Sequence, residues 1–391
     1  MVGTSLAGLR AIETLRREGF DGRIVAIGAE THLPYDRPPL SKELLAGKAE
    51  PDDIALRKQG VDDLDVEWVL GTPATALDVA SRTLTLADGS TVEADGIVLA
   101  TGSTPRRLPN QPDLDGVLML RTLDDALALR ARLAALPRIV VIGAGFIGAE
   151  VAATCRERGL DVTVLEALPQ PMVRGLGPEL GAVIADMHRD HGVDLRTGVQ
   201  VDAIEGETRV ERVRLGDGST VAADVVVVGV GVAPDTAWLE GSGLALDNGV
   251  VCDAACRAAP GIVAAGDLTR WPNALFDDEL MRLEHWTNAT EQGVHAARTL
   301  LADSPQPFAP VPFVWSDQYD RKIQTVGLVS ADADLHTAHG SYAERQFVSL
   351  FGRGGRIVGA LGFNRPRQVM QYRRLIAERA SWETALELAN A

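Results

Sequence analysis

The 391-residue chain is 46% hydrophobic and 24% charged, a balance that gives room for two or three folded cores and excludes a disordered chain. Its formal net charge of −16 argues against nucleic acid and anionic membrane as partners. No apolar run reaches the ~18 residues needed to cross a bilayer, and the N-terminus lacks the basic-then-apolar pattern of a signal peptide, so a cytoplasmic location is expected.

In chain order the first signature is Gly3-Thr4-Ser5-Leu6-Ala7-Gly8. It predicts a tight turn into a helix around Leu9, Ile12 and Leu15, a stop at Gly19, a strand Ile24–Ile27 and an acid at Glu30. Such a turn brings backbone against a pyrophosphate. The helix behind it offers unpaired amides and the positive end of its dipole, and the acid accepts bonds from a ribose diol. Two features depart from the pattern. Ser5 replaces the middle glycine, and only Met1 and Val2 precede the turn where a strand takes about five residues, so the numbering is expected to begin inside a strand. Next comes Asp88-Gly89-Ser90-Thr91-Val92, a hairpin signal, followed by Asp95 and an apolar run at 97–100 that meets Thr101-Gly102. Pro105, Pro109 and Pro112 mark a crossing near Leu108.

The second signature, Gly143-Ala144-Gly145-Phe146-Ile147-Gly148, has all its parts in order. A strand Ile139–Ile142 precedes it, a helix over 149–158 stops at Gly159, and a strand at 162–165 ends on Glu166. The hairpin also recurs, as Asp217-Gly218-Ser219-Thr220-Val221, with Asp224 and a buried strand at 225–228 leading to Gly229-Val230-Gly231. This internal duplication predicts two dinucleotide domains, each carrying its own hairpin insertion.

After Pro234, residues 261–267 read as a short buried strand ending in Gly266-Asp267, and a helix is expected over 288–301, returning the chain to its first domain. Past Pro305, Pro307, Pro310 and Pro312 the pattern turns to strands at 322–329, 345–351 and 356–362, with a helix after Pro366. The expected fold class is α/β: two Rossmann-like dinucleotide-binding domains plus a C-terminal α+β domain with an antiparallel sheet. The boundaries are 1–108 with 232–309, 109–231, and 310–391.

Cys155, Cys252 and Cys256 show no CxxC spacing and are expected to be small buried hydrophobes rather than a redox dithiol, and the seven histidines show no metal-ligand spacing. The charge is uneven. Residues 310–391 hold ten Lys and Arg against eight Asp and Glu, so the acidity lies in the rest of the chain.

Taken together these motifs resemble the flavin-dependent, pyridine-nucleotide ferredoxin reductases of bacterial oxygenase systems, within the glutathione-reductase-like superfamily. The most specific marks are Pro34-Tyr35-Asp36-Arg37-Pro38-Pro39-Leu40-Ser41-Lys42 and Glu284-His285-Trp286-Thr287-Asn288-Ala289, joined by Ala100-Thr101-Gly102, Gly266-Asp267 and Trp315-Ser316-Asp317-Gln318-Tyr319. Asp235 departs from the family's usual asparagine after Pro234.

The resemblance implies FAD on the first unit and NAD(H) on the second. Gly3, Ser5, Ala7 and Gly8 would approach the FAD pyrophosphate, Glu30 or Ala29 the adenosine ribose, and Ala74 the adenine. Thr101, Gly102 and Asp267 would belong to the same cradle, Glu284, His285 and Trp286 would border the isoalloxazine, and Arg121 would contact the flavin at the domain junction. His285 is expected to be a hydrogen-bonded structural residue rather than a proton donor. For the nicotinamide cofactor, Gly143, Gly145, Ile147 and Gly148 would line the pyrophosphate, Glu166 would take the ribose, and Gly231 would pass the nicotinamide end. In the family a lysine matching Lys42 sits beside flavin N5 and pairs with the glutamate matching Glu150; on sequence distance alone both would be surface residues.

The implied activity is hydride transfer from NADH to FAD, then single-electron transfer to an iron-sulfur ferredoxin serving a haem monooxygenase or ring-hydroxylating oxygenase. Two alternatives stay open, an NADH oxidase and a redox-responsive NADH-binding flavoprotein of the apoptosis-inducing type. Arg321, Lys322, Arg365 and Arg367 are candidates for docking the ferredoxin, and the oligomeric state is left open.

Overall fold

A computed structural model describes residues 1–390, apart from the side chain of Arg174. The chain forms two compact units, one of 1–36, 54–104 and 233–313, the other of 37–53, 105–232 and 314–391.

In the first unit the apolar stripe of the helix Leu6–Arg17 buries Leu9, Ala11 and Ile12 against strands from distant parts of the chain. Ile24–Ile27 pairs in parallel with Val66–Val69, and Ile97–Leu99 pairs in parallel with Ile262–Ala264. Val2 bridges Ile27 and Leu99 in parallel, so the two strand groups join into one sheet. The helix Trp286–Leu301 lies over the first helix at very short range: a Cβ on Gly293 would sit 2.4 Å from the Ala7 carbonyl oxygen. Only glycine lets these helix backbones approach so closely. The Asp88-Gly89 hairpin forms as expected, joining Thr83–Leu86 to Thr91–Glu93, with Ala74–Asp78 as the third strand.

The second unit holds a parallel sheet ordered Asp194–Thr197, Val162–Glu166, Ile139–Ile142, Val225–Val228, Val117–Leu118. The first four stand in the 3-2-1-4 order of doubly wound nucleotide folds. Ile139–Ile142 and Val225–Val228 are buried at every position, as a parallel sheet covered on both faces requires. The repeated hairpin pairs Arg212–Leu215 with Thr220–Ala222, as the duplication predicts.

The C-terminal sheet orders its strands Phe313–Gln318, Arg321–Gly327, Arg356–Phe363, Gln346–Arg353, Asp334–Ser341, with Pro366–Ala377 and Trp382–Ala389 as helices. Two of these strands and the last helix go beyond the sequence reading. Asp334–Ser341 is an edge strand with its first four residues exposed and no apolar alternation to announce it.

Candidate functional site

The two glycine turns can be compared atom by atom. Gly143 has φ +100°, and a Cβ there would meet the Gly229 carbonyl oxygen at 2.3 Å; one on Gly148 would meet the Gly143 oxygen at 2.1 Å. Those two glycines are required by the protein's own backbone. A Cβ on Gly145 would meet nothing within 4 Å, and this residue caps the helix Phe146–Glu157 with no side-chain hydrogen bond. Glycine at 145 is exposed and is not required by the protein's own backbone, and the open face it leaves at this turn suits a dinucleotide pyrophosphate. Ile147, in the same turn, is 45% exposed. Glu166 closes on this turn, its carboxylate accepting from the Ala144 amide at 2.7 Å and from the Leu168 amide at 2.8 Å. Gly231 has φ +101°, and its carbonyl accepts from the Arg106 amide at 2.9 Å.

In the first unit Gly3 (φ +106°) and Gly8 play the two structural roles, meeting the Ala100 oxygen at 2.1 Å and the Gly3 oxygen at 2.0 Å respectively. Ser5 takes the place of the open glycine and caps the helix without a side-chain bond to its amides. Ala7 is buried, Ala29 exposed and Glu30 half-buried, with the Tyr35 hydroxyl donating to the Glu30 carboxylate. Ala74 opens the first strand of the hairpin sheet.

The Asp267 side of this cradle is fixed by its neighbours. Ser103 donates to the Asp267 carboxylate at 2.8 Å, Arg282 donates to the Asp267 carbonyl at 2.9 Å, and Gly266 (φ +83°) donates its amide to Gln292 at 2.8 Å. Glu284 is held by Arg282 at 2.6 Å. The indole of Trp286 donates to Asp36 at 2.6 Å, joining the two most specific sequence segments across 250 positions. Thr101 donates to the Asp235 carbonyl at 2.8 Å, and the Asp235 amide returns a bond to Gly102 at 2.9 Å. Burial raises the Asp235 carboxyl above its usual range.

The Nδ1 of His285 is buried with no hydrogen-bond partner among the described residues, and burial lowers the imidazole to about 4 against the pull of Asp267. A buried polar atom left unpaired by the protein costs free energy. It fits a cradle whose remaining partner is a bound cofactor.

The second unit contains the pair expected from the resemblance. Lys42 lies at the end of the 3₁₀ turn Pro38–Ser41 and is only 15% exposed at its side chain, and Glu150, one turn into the helix Phe146–Glu157, is 4% exposed. Lys42 Nζ donates to Glu150 Oε2 at 2.8 Å. Ser41 donates to the same oxygen at 2.5 Å, and Thr154, one helical turn beyond Glu150, donates to the Ser41 carbonyl at 2.7 Å. Sequence reading missed Ser316, which donates to Glu150 Oε1 at 2.7 Å from 166 positions away. Arg121 is placed by its backbone, its carbonyl accepting from Arg37 at 2.5 Å and its amide donating to Asp125 at 3.0 Å.

The thiols are not equipped for redox exchange. All three cysteines are free and buried, and burial raises Cys155 and Cys256 to about 12 and Cys252 higher still.

A family model described as pyridine nucleotide-disulphide oxidoreductase matches residues 1–293, and a second, described as reductase C-terminal, matches 313–390. The chain belongs to the pyridine nucleotide-disulphide oxidoreductase family. It is an FAD- and NAD(H)-dependent member of that family. Among its relatives are rhodocoxin reductase of Rhodococcus erythropolis, 38% identical over 96% of this chain and 88% of that one, and the 5,5'-dehydrodivanillate O-demethylase ferredoxin reductase subunit of a Sphingobium species, 37% identical over 97% and 92%. The putidaredoxin reductase of a solved covalent putidaredoxin reductase–putidaredoxin complex superposes with a TM-score of 0.92 and 36% identity, covering 97% of this chain and 92% of that one. The family is named for disulfide chemistry, yet this member's own thiols are buried hydrophobes.

Proposed function

We propose that the chain is an NADH-dependent ferredoxin reductase that delivers single electrons to an iron-sulfur ferredoxin of an oxygenase system, acting in the cytoplasm. Bound FAD would supply the conversion of a two-electron hydride donor into one-electron output. The protein's share is binding, orientation and electrostatics. The glycine turn at Gly3 to Gly8, with Glu30, Ala29, Ala74, Thr101, Gly102, Asp267, Glu284, His285, Trp286 and Arg121, holds FAD. The turn at Gly143 to Gly148, with Glu166 and Gly231, holds NADH. Lys42 offers an ammonium where negative charge develops during reduction, and Glu150 holds that ammonium in place. The domains follow the same division: 1–108 with 232–309 for FAD, 109–231 for NAD, and 310–391 as an interface domain.

The observation that carries the reading is the part-buried Lys42–Glu150 pair in a chain whose three thiols are all buried and shifted up. Such a chain can accept hydride but has no thiol relay of its own to pass electrons onward, which supports a separate one-electron acceptor. The likeness to named ferredoxin reductases over nearly the whole chain supports the same acceptor class. The test is NADH-dependent cytochrome c reduction by the yellow, FAD-loaded protein with and without a panel of ferredoxins from one host. Acceleration by at least one ferredoxin is expected; no acceleration by any would sink the reading in favour of an oxidase or a redox-responsive binding protein.

A further inference from the structure

Beyond Ser316 the hydrogen bonding continues inward and then out again. Gln318 Nε2 donates to Ser316 Oγ at 3.0 Å, His188 Nε2 lies 3.0 Å from Gln318 Oε1, and the Tyr319 hydroxyl lies 3.0 Å from His188 Nδ1. Ser316 and Gln318 are fully buried and His188 is 3% exposed. The strand Phe313–Gln318 sets this up by its period of two, which turns residues 316 and 318 to one face and Trp315 and Asp317 to the other. Tyr319, at φ +55°, turns back to stack on His191 with ring centroids 3.7 Å apart.

The direction of the chain is decided at one end. A carboxylate can only accept, so Ser316 must give its proton to Glu150 and its oxygen must accept from the Gln318 amide. The Gln318 oxygen is then left to accept from His188, which places the imidazole proton on Nε2 and makes Nδ1 an acceptor for Tyr319. Every donor points towards Glu150. The amide in the middle interrupts proton transfer, so the chain is a fixed line of dipoles and not a proton wire. Burial also lowers His188 to about 4, which keeps the ring neutral as this arrangement needs.

We infer that Ser316 and Gln318, backed by His188 and Tyr319, are positioning residues through which the C-terminal domain holds Glu150, and thereby Lys42, in place for flavin reduction. This rests on the reading of Lys42 given above. Losing the Ser316 donor to a charged group is expected to slow flavin reduction by NADH about ten-fold.

The experiment has two arms. In the wild-type holoenzyme, ¹⁵N NMR of His188 between pH 6 and 8 should show a neutral ring protonated at Nε2 with Nδ1 accepting, and Tyr319→Phe should remove the acceptor signature. A ring protonated at Nδ1, or a cation at pH 7, would overturn the proposal whatever the kinetics. In the second arm, stopped-flow reduction and flavin midpoint potential are measured for Ser316→Ala, Gln318→Leu and Ser316→Thr at full FAD occupancy. The first two should slow reduction and shift the potential, the threonine variant should keep wild-type values, and Ser316→Ala should add nothing in a Lys42→Met background. A full additional loss in that background, or unchanged rate and potential in Ser316→Ala, would sink the positioning role. Lys42→Met without effect would sink the Lys42 reading instead, and the tautomer result separates the two failures.

Discussion

Lys42 and Glu150 are 108 positions apart in the chain and 2.8 Å apart in the fold, in a site where the carboxylate also accepts from Ser41 and Ser316. Removing the ammonium alone leaves a buried acid short of its counter-charge, which costs about 3 kcal/mol of stability even with two hydroxyl donors remaining. Lys42→Met is thus expected to lower the unfolding midpoint while FAD stays bound, and to slow hydride transfer by about ten-fold or more. Adding Glu150→Gln should restore much of the stability without restoring the rate. Recovery of both by the double variant would make the pair structural only; stopped-flow reduction and denaturant titration decide it.

The glycine turn of the second unit separates fold from function within six residues. Gly148→Ala drives a Cβ to 2.1 Å from a carbonyl oxygen and is expected to impair folding, whereas Gly145→Ala points into open space at φ −75°, which alanine adopts freely. Gly145→Ala should therefore leave thermal stability within about 0.5 kcal/mol of wild type and raise KM for NADH about ten-fold, or ~1.4 kcal/mol. An unchanged KM would show that the open space at this turn is not the pyrophosphate site.

Much of this was legible from residues whose constraint is local. Ile24–Ile27 follows from a short apolar run after a helix and its glycine stop, Ile139–Ile142 from one ahead of a glycine turn and helix, and both Asp-Gly hairpins follow from turn chemistry alone. The helices Leu6–Arg17 and Phe146–Glu157 begin earlier than their apolar periodicity suggests, because the glycine turn itself runs into their first residues. The Lys42–Glu150 pair was reached through the resemblance, since nothing near either residue announces the other. Ser316 and Gln318 stand in the sequence only as members of the Trp315–Tyr319 motif. Their role depends on strand register and on a partner 166 positions away from Ser316, which no local pattern encodes.

Cofactor choice should follow Glu166. Its carboxylate is tied to the Ala144 and Leu168 amides, and the next residues, Ala167, Leu168, Pro169 and Gln170, bring no cation to receive a 2′-phosphate. A strong preference for NADH over NADPH is expected in kcat/KM. Glu166→Ala with Ala167→Arg should narrow the gap, and equal values for the two cofactors in the wild type would contradict the assignment.

Acid sensitivity should carry a signature of His188. Burial lowers its imidazole from 6.5 to about 4, with Gln318 pulling it up and His191 pushing it further down. Because the unfolded chain takes up this proton at higher pH than the folded one, the contribution to stability is complete above pH 6.5 and is lost as pH falls towards 4. The size is roughly 3 kcal/mol at most. Urea titrations of wild type and His188→Gln at pH 7.5 and 4.5 should show a shallower pH dependence in the variant. Equal slopes would mean that His188 titrates as it does in the unfolded chain.

The docking surface for an acidic ferredoxin is expected on the C-terminal domain, where cations outnumber acids on a chain that is otherwise strongly negative. The structure divides the four candidates. Lys322 pairs with Asp317 at 2.6 Å and Arg321 with Asp320 at 3.2 Å, so much of their field is cancelled by their own neighbours. Arg367 is exposed, Arg365 is half-buried with its Nε enclosed, and no ion pair of either is found among the described residues. Steering by unpaired charge is screened over a Debye length of ~8 Å at physiological ionic strength, whereas a paired charge contributes little at any salt concentration. Reversing Arg365 and Arg367 to glutamate should therefore raise KM for ferredoxin and flatten its salt dependence more than reversing Arg321 and Lys322, with ferricyanide reduction by NADH unchanged in both. If neither double reversal alters ferredoxin kinetics across a salt series, the partner docks elsewhere and the charge asymmetry is incidental to electron transfer.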